Sequence, residues 1–333
     1  MRLMIVARSP LRISFIGGGT DTKEFIENND FGCVLGTSID RYVYVFVEDQ
    51  PSFEKSKYKF TYRAVEEVEN PSQFKHPVIR EMLINLGVTD PLNIATMANL
   101  PGRSGLGSSS AFTVSLFAAL LSRSKKPLDL DKIAKYAIHC ERTLAKESGG
   151  YQDQFHTTYG GLRFYEFRQN QTIVSEPLIK MKTERYLSDS ILLVATSEKR
   201  NSSNHAKVFE KNLSLDENMK MAREMRDLCV QTFEQIRKTK SEIEILNLLI
   251  LATQEGWQRK QKQIREVHPE VSKIMQLGER NGAQAAKLCG AGGSGFVLFL
   301  TRPELMGNLQ SAFSADQVVR PRIENEGVSV FEI

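Results

Sequence analysis

The densest concentration of chemistry-bearing residues in this 333-residue chain is the run Pro101, Gly102, Arg103, Ser104, Gly105, Leu106, Gly107, Ser108, Ser109, Ser110, Ala111, which leads into the apolar segment Phe112 to Leu121. Glycines, serines and one arginine placed where a loop becomes a helix offer an anion a row of unpaired backbone N–H groups and hydroxyls. Glycine allows close backbone approach and positive φ. Ser108, Ser109 and Ser110 fall in the first helical turn, where hydroxyls reach phosphate oxygens or Mg²⁺. The segment reads as a phosphate cradle, with a serine-rich N-cap after an ordinary turn as the alternative. It is not a Walker loop, because no Lys-Ser or Lys-Thr follows the last glycine, nor does it match the dinucleotide-binding pattern. A different phosphate-binding architecture is implied.

A second glycine run, Gly17, Gly18, Gly19, Thr20, Asp21, follows strand material and again permits very close backbone approach. Thr20 and Asp21 either cap the short helix begun by Lys23-Glu24-Phe25-Ile26 or leave Asp21 to accept from ligand hydroxyls. Further on, Ser148-Gly149-Gly150-Tyr151-Gln152-Asp153 is a glycine break with a carboxylate three residues beyond it, and Glu141 lies near the end of the apolar stripe that precedes it.

The elements that must position these residues follow from periodicity and punctuation. Leu3 to Ala7 and Arg12 to Ile16 read as short strands interrupted by Ser9-Pro10, and Gly32 to Val47 as two strands, the second alternating Tyr42, Tyr44 and Phe46 on one face. Lys57 to Tyr62 is a strand, His76 to Leu86 a helix starting near Pro77, and Leu92 to Ala98 the strand that feeds the cradle. The helix after the cradle is apolar nearly all round, as suits one buried behind a binding loop. Asp129 caps a helix reaching Lys146, and Leu162 to Phe167 is a strand. Composition shifts after about residue 180, where long helical patterns (Asp216 to Lys238, Ser241 to Gln263, Pro269 to Asn281) mix with strands at Ile191 to Thr196, Ala285 to Cys289, Gly295 to Leu300, Gln317 to Val319 and Val328 to Ile333. Two domains are therefore expected, residues 1–180 and 181–333, the second of α+β type.

The balance of 44 basic against 40 acidic residues gives a net charge of +4, which argues for neither nucleic acid nor a membrane surface. Nothing resembles a basic patch interleaved with aromatics. Cys33, Cys140, Cys229 and Cys289 are scattered without metal-binding spacing, as expected of reduced thiols. No signal-peptide core and no apolar run near ~18 residues is present, so a cytoplasmic location is expected.

Three glycine segments in this order, Pro10 to Asp21, Pro101 to Ala111 and Lys287 to Gly295, resemble the three motifs of the GHMP small-molecule kinases, and the resemblance spans residues 10 to 300. The Gly-Gly-Gly-Thr-Asp variant is similar to the heptose kinase branch, which phosphorylates the anomeric hydroxyl of D-glycero-D-manno-heptose 7-phosphate using ATP; the fucokinase branch is the nearest rival. Galactokinases carry Glu-His where this chain has Gly18-Gly19, which speaks against a free hexose such as galactose.

The resemblance implies an N-terminal α/β domain with a left-handed βαβ crossover, a C-terminal ferredoxin-like domain, and an active site between them. It implies Asp153 as catalytic base, twelve residues after Glu141 as in galactokinases, and Arg12, nine residues before Asp21, as the cation that polarises the nucleophile. Glu141 and Ser109 are implied as Mg²⁺ ligands and the cradle from Pro101 to Ser110 as the ATP-phosphate site. The acceptor side is expected to use Gly17, Gly18, Gly19, Thr20, Asp21, Gly290, Ala291, Gly292 and Gly293, with Lys199, Arg200 and His205 as candidate contacts to a distal phosphate and a base pocket within residues 58–100. The partner is a small sugar phosphate, and a homo-oligomer is compatible with the resemblance. A sugar-phosphate-binding regulator without catalysis is the competing class, and the intact set Arg12, Glu141 and Asp153 speaks for the enzyme.

Overall fold

The computed structural model describes residues 4–102, 104–197, 216–263, 268–290 and 295–333. Its largest sheet is built on two long antiparallel strands, β1 (Ile5–Ile16) and β2 (Gly32–Asp49), which pair along nearly their whole length. Each was expected as two strands. In β1 the Ser9-Pro10 break is absorbed by a register shift between Pro10 and Leu11, where a residue without an N–H leaves the ladder least disturbed. In β2 the chain stays extended and changes partners instead. Its first part pairs with β6 (Leu162–Phe167) and its second with β5 (Leu92–Ala98). Tyr42, Tyr44 and Phe46 lie on the half-exposed face, alternating with buried Val43, Val45 and Val47.

Strands β3 (Tyr58–Thr61), β4 (Val65–Val68) and β7 (Thr172–Val174) and the late strand β12 (Ser329–Glu332) complete eight strands in the order β12-β1-β2-β5-β3-β4, with β6 beside β2 and β7 beside β6. The one parallel pair is β3 with β5, and the helix α2 (Pro77–Asn85) lies in the crossover between them. A short helix α1 (Lys23–Glu27), capped by the Thr22 side chain, follows the first glycine run. Helix α3 (Ser108–Arg123) packs against β1 and β2 and is buried without interruption from Ser110 to Leu120, the all-round apolar character that the sequence implied. Its buried hydroxyls are matched: Ser115 donates to Ser9 at 2.9 Å, Thr113 to the Ser109 carbonyl at 3.1 Å and Ser110 to Glu141 at 3.0 Å. Helix α4 (Leu130–Ile138), capped by Asp129, runs on as a π-helical turn (His139–Leu144), and α5 (Gln152–Tyr159) brings the chain back to β6.

After α6 (Met181–Ser188), a second sheet comprises β8 (Ile191–Ala195), β9 (Ala285–Leu288), β10 (Phe296–Leu300) and β11 (Val318–Val319) in the order β11-β8-β10-β9, every neighbouring pair antiparallel. Helices α7 (Asp216–Lys238), α8 (Glu242–Gln263) and α9 (Pro269–Arg280) fall between β8 and β9, and α10 (Met306–Ser311) between β10 and β11. Strand, helices, hairpin, helix, strand in that spatial order is the ferredoxin-like pattern. The two sheets share a core, since α7 and α8 pack on β2 and β1 and residues such as Ile16, Cys229, Leu249 and Leu298 join one apolar cluster. Strand β12, grouped with the second unit on sequence grounds, crosses back to pair with β1. All four cysteines are free thiols.

Gly278 in α9 lets the helix approach the second sheet closely: a Cβ there would stand 2.3 Å from Cε1 of the fully buried Phe299. Alanine would gain up to ~1 kcal/mol of helix propensity. Forcing the ring aside costs about 1–3 kcal/mol. Gly278→Ala is therefore expected to lower the urea midpoint, and a raised midpoint would show that the ring yields freely.

Candidate active site

The cradle takes its shape from glycine. Gly105 and Gly107 both adopt left-handed φ, at 75° and 78°, and Gly107 is the N-cap residue of α3, so the first-turn N–H groups point out of the helix toward the loop. The third glycine segment braces it from behind. A Cβ on Gly105 would lie 2.5 Å from the Cys289 carbonyl oxygen, one on Gly290 would lie 2.6 Å from the Gly105 Cα, and one on Gly295 would lie 2.3 Å from the Ser104 carbonyl oxygen. Gly107, Ser108, Ser109 and Ser110 line the adjoining cavity of about 490 Å³, as do Gly105 and Gly290. Pro101 and Gly102 stand exposed outside it, and Ser104 and Leu106 are buried behind the loop. Arg103, Lys199, Arg200, His205, Ala291, Gly292 and Gly293, all singled out from sequence, lie outside the described residues.

Arg12 and Asp153, 141 positions apart, meet at this loop. The guanidinium donates to Asp153 Oδ1 through Nε at 2.7 Å and lies 2.6 Å from it through Nη2, while Nη1 donates to the Gly105 carbonyl at 2.5 Å. The Arg12 side chain is 7% exposed and that of Asp153 is 23% exposed, so the arginine is fixed in the wall and the carboxylate is offered to the cavity. A Cβ on Gly107 would sit 3.1 Å from Arg12 Cγ and 3.6 Å from Asp153 Cγ, which places the pair directly against the cradle. Asp153 lies in the first turn of α5, where the helix dipole favours negative charge.

Asp21 is buried and heavily engaged. Its Oδ1 accepts from the Gly19 N–H at 2.9 Å and from Gln152 Nε2 at 3.2 Å, its Oδ2 accepts from the Gln152 N–H at 3.0 Å, and its carbonyl accepts from the Tyr151 N–H at 3.0 Å. Burial, against these N–H donors, pushes its carboxyl above the usual range, and the charge of Asp153 adds to that. A Cβ on Gly150 would stand 2.0 Å from Oδ2, so the glycine break before α5 exists to let this carboxylate in. Asp21 thus clasps the first glycine run to the start of α5, a role that local sequence left undistinguished from capping or ligand contact. The polar atom left over at that wall is Oε1 of Gln152, which is buried and has no protein partner. Thr20 does not line the cavity; its hydroxyl donates to the Gly17 and Cys33 carbonyls and accepts from the Cys33 N–H.

Glu141 sits in the π-helical turn, an irregularity that recurs at functional sites. Its Oε2 accepts from Ser110 Oγ at 3.0 Å and Gln154 Nε2 at 2.8 Å and lies 3.3 Å from Arg142 Nη1, while its buried Oε1 has no protein partner. Ser109, implied with Glu141 as a Mg²⁺ ligand, lines the same cavity, and burial and the neighbouring Glu141 push the carboxyl of Glu147 above the usual range. Ser110 is the serine that reaches Glu141. A buried carboxylate oxygen without a partner, beside first-turn hydroxyls, is a donor set that fits a hard divalent cation. No group of three His, Cys, Asp or Glu among the described residues is placed to hold a metal ion by itself, so phosphate oxygens would complete the shell.

The wall supplied by the second unit was not foreseen. Lys260 and Lys287 line the cavity with Met225, Gly256 and Trp257. Lys260 Nζ donates to the Gly290 carbonyl, and Lys287 Nζ donates to the carbonyls of Ser14 at 2.8 Å and Phe15 at 3.4 Å. Burial pushes Lys260 down to about 8 and Lys287 down to about 7, the latter helped by the charge of Lys260. A signal for Lys287 existed: it is the single charged residue in a strand whose other residues, Ala285, Ala286 and Leu288, are buried. Lys260 carries none, because α8 ends in a lysine- and glutamine-rich stretch that reads as solvated surface.

A glycine-braced helix N-terminus with an arginine–aspartate pair set directly against it, on a cavity lined by both an α/β and a ferredoxin-like unit, defines a phosphoryl-transferring small-molecule kinase, and the chain belongs to the GHMP kinase family. It matches the GHMP kinases N terminal domain over residues 68–161 and the GHMP kinases C terminal domain over residues 241–320. Among individual proteins, it is 28% identical, over 94% of both chains, to the D-glycero-alpha-D-manno-heptose 7-phosphate kinase of Campylobacter jejuni. In three dimensions it resembles a D-glycero-D-manno-heptose 1-phosphate kinase from Bacteroides thetaiotaomicron (TM-score 0.78, 21% identity, 99% of both chains). It also resembles the galactose complex of Lactococcus lactis galactokinase (TM-score 0.74, 13% identity, 98% and 95% of the two chains).

The lowered lysines make stability depend on pH in a stated direction. Between the folded values, about 7 and 8, and the unfolded value of 10.5, the unfolded chain holds protons that the folded chain does not, so stability rises with pH in that window and is flat below it. The urea midpoint of the ligand-free protein, measured against that of a Lys260→Met/Lys287→Met variant, is expected to improve from pH 7 to pH 9.5; a constant difference would refute the shifts.

Proposed function

We propose that this protein transfers the γ-phosphoryl group of ATP to the anomeric hydroxyl of D-glycero-D-manno-heptose 7-phosphate, giving the 1,7-bisphosphate, in the biosynthesis of nucleotide-activated heptose. The observation that carries the reading is the Arg12–Asp153 pair set against Gly107 at the rim of the cradle, with Asp153 open to the cavity. The relative from C. jejuni supports the acceptor.

In this reading the backbone N–H groups of the cradle and the Ser108 to Ser110 hydroxyls hold the donor phosphates. The acceptor oxygen attacks the γ-phosphorus in line as the bond to the β,γ-bridging oxygen breaks, and Asp153 receives the acceptor proton late in the transfer. Arg12, immobilised by Asp153 and Gly105, needs no reorganisation to fix the carboxylate and to offset charge on the moving phosphoryl group. Glu141, through Oε1, and the Ser109 hydroxyl would hold Mg²⁺, which supplies charge neutralisation on the phosphates. Gln152 Oε1 and the backbone of Gly17 and Gly18 face the acceptor hydroxyls, and Asp21, holding the Gly19 and Gln152 N–H groups, keeps that wall in place.

A coupled ADP-release assay with Mg-ATP tests the reading against D-glycero-D-manno-heptose 7-phosphate, mannose 6-phosphate, mannose and fucose. Turnover confined to the heptose phosphate is expected, and turnover on fucose would move the protein to the fucokinase-like branch. Asp153→Asn is expected to lose ~10² or more in kcat with ATP binding retained. Wild-type turnover in a folded Asp153→Asn protein would remove the base from its role.

A further inference from the structure

We infer that Lys260 and Lys287 form an anion subsite that grips a phosphate carried by the acceptor at a distance from its reacting hydroxyl. The inference rests on the kinase reading above and adds the part of the site that selects a phosphorylated sugar over a free one.

The two ammonium groups enter the cavity from separate elements, α8 and β9: Lys287 reaches the end of β1 just before the first glycine run, and Lys260 reaches the Gly290 carbonyl at the third glycine segment. Lys287 is tied to the Ser14 and Phe15 carbonyls there. Beside it, α8 packs so closely that a Cβ on Gly256 would touch Ile16 at 3.5 Å. The same cavity is lined by Gly17 to Gly19 and Gln152. Lys287 therefore stands on the acceptor's wall, and Lys260 stands between that wall and the third glycine segment.

The charge arrangement shows that an anion is missing from the protein's own partners. The cavity's two arginines are matched, Arg12 by Asp153 and Arg142 by Glu141. Lys260 and Lys287 donate only to backbone carbonyls, and among the described residues neither is paired with a carboxylate. An ammonium out of water and without a counter-ion is costly, and two near one another are costlier. The depressed lysine values report that cost. Carbonyl acceptors orient each ammonium and leave N–H donors free, so a phosphate dianion would satisfy both charges at once. A fold that needed only packing here would do better with methionine or leucine on that wall.

The test compares wild type, Lys260→Met, Lys287→Met and the charge-keeping Lys260→Arg on D-glycero-D-manno-heptose 7-phosphate and on D-glycero-D-manno-heptose, with melting temperatures recorded for each. The expected result is a rise of about 10²-fold in KM for the phosphorylated heptose in each methionine variant. With it, the preference for the phosphorylated over the free sugar should fall by the same factor, KM for ATP should stay within about threefold, and Lys260→Arg should recover part of the loss. A matching rise in KM for ATP with the preference intact would overturn the inference and give the lysines to the donor. Equal losses on both acceptors, unrepaired by arginine, would overturn it in favour of packing.

Failure of the kinase reading is distinguishable. If wild type phosphorylates neither heptose, calorimetric titration of mannose 6-phosphate and of inorganic phosphate into wild type and a Lys260→Met/Lys287→Met variant decides the subsite alone. Binding heat present only in wild type upholds it, and absence of heat in wild type overturns it. Conversely, turnover of the heptose phosphate with unchanged KM in both methionine variants keeps the kinase and removes the subsite.

Discussion

Everything at the site depends on backbone touching backbone between the two units. Gly105, Gly290 and Gly295 bring the cradle and the end of the second sheet to distances at which any side chain would collide with main-chain carbonyls. Such contacts leave no flexible group to give way, so the cradle is held as rigidly as the sheets behind it. The glycines thus serve two ends: they admit the left-handed turns that aim N–H groups at a ligand, and they let the third segment lock those turns in place. Gly107 extends the same economy of space to Arg12 and Asp153.

Around that rigid centre the charges are arranged in layers of decreasing completeness. Arg12 is satisfied by Asp153 and a carbonyl, and Asp21 by three N–H donors, so these groups are fixed before any ligand arrives. Glu141 is satisfied on one oxygen only, and Gln152 on its amide nitrogen but not its carbonyl. Buried polar atoms left unpaired cost ~1–3 kcal/mol each in a finished fold, and two of them, Glu141 Oε1 and Gln152 Oε1, stand on this one cavity. The pattern is that of a site whose remaining valences are reserved for ligand, cation and phosphate.

The three glycine segments, the strand at Leu92 to Ala98 and the helices after residue 216 were legible because each rests on local signals: punctuation, alternation or a long apolar period. Arg12 and Asp153 were each singled out only through resemblance, and their direct pairing came from the fold, since no local rule joins residues so far apart. The errors share a cause. Pro10 and the long run from Gly32 looked like breaks because a single strand was judged by its own residues, whereas the sheet decided by supplying a bulge and a change of partner. That Ser110 is the serine whose hydroxyl meets Glu141 was likewise out of reach of local sequence, because it depends on the rotation of α3 against the π-helical turn. Lys260 was hidden because burial of a lysine is a property of the neighbours, not of the helix that bears it.

The return of β12 to the edge of β1 ties residues near 330 to residues near 5, with the register Val6 opposite Phe331 and Ala7 opposite Val330. During synthesis β1 therefore keeps this edge open until β12 has followed it. An unpaired strand edge is a template for wrong partners, and it persists here for the whole time that the second sheet and its helices take to appear. Closing it demands one of the longest-range contacts the chain can make, late and at high loop-closure cost.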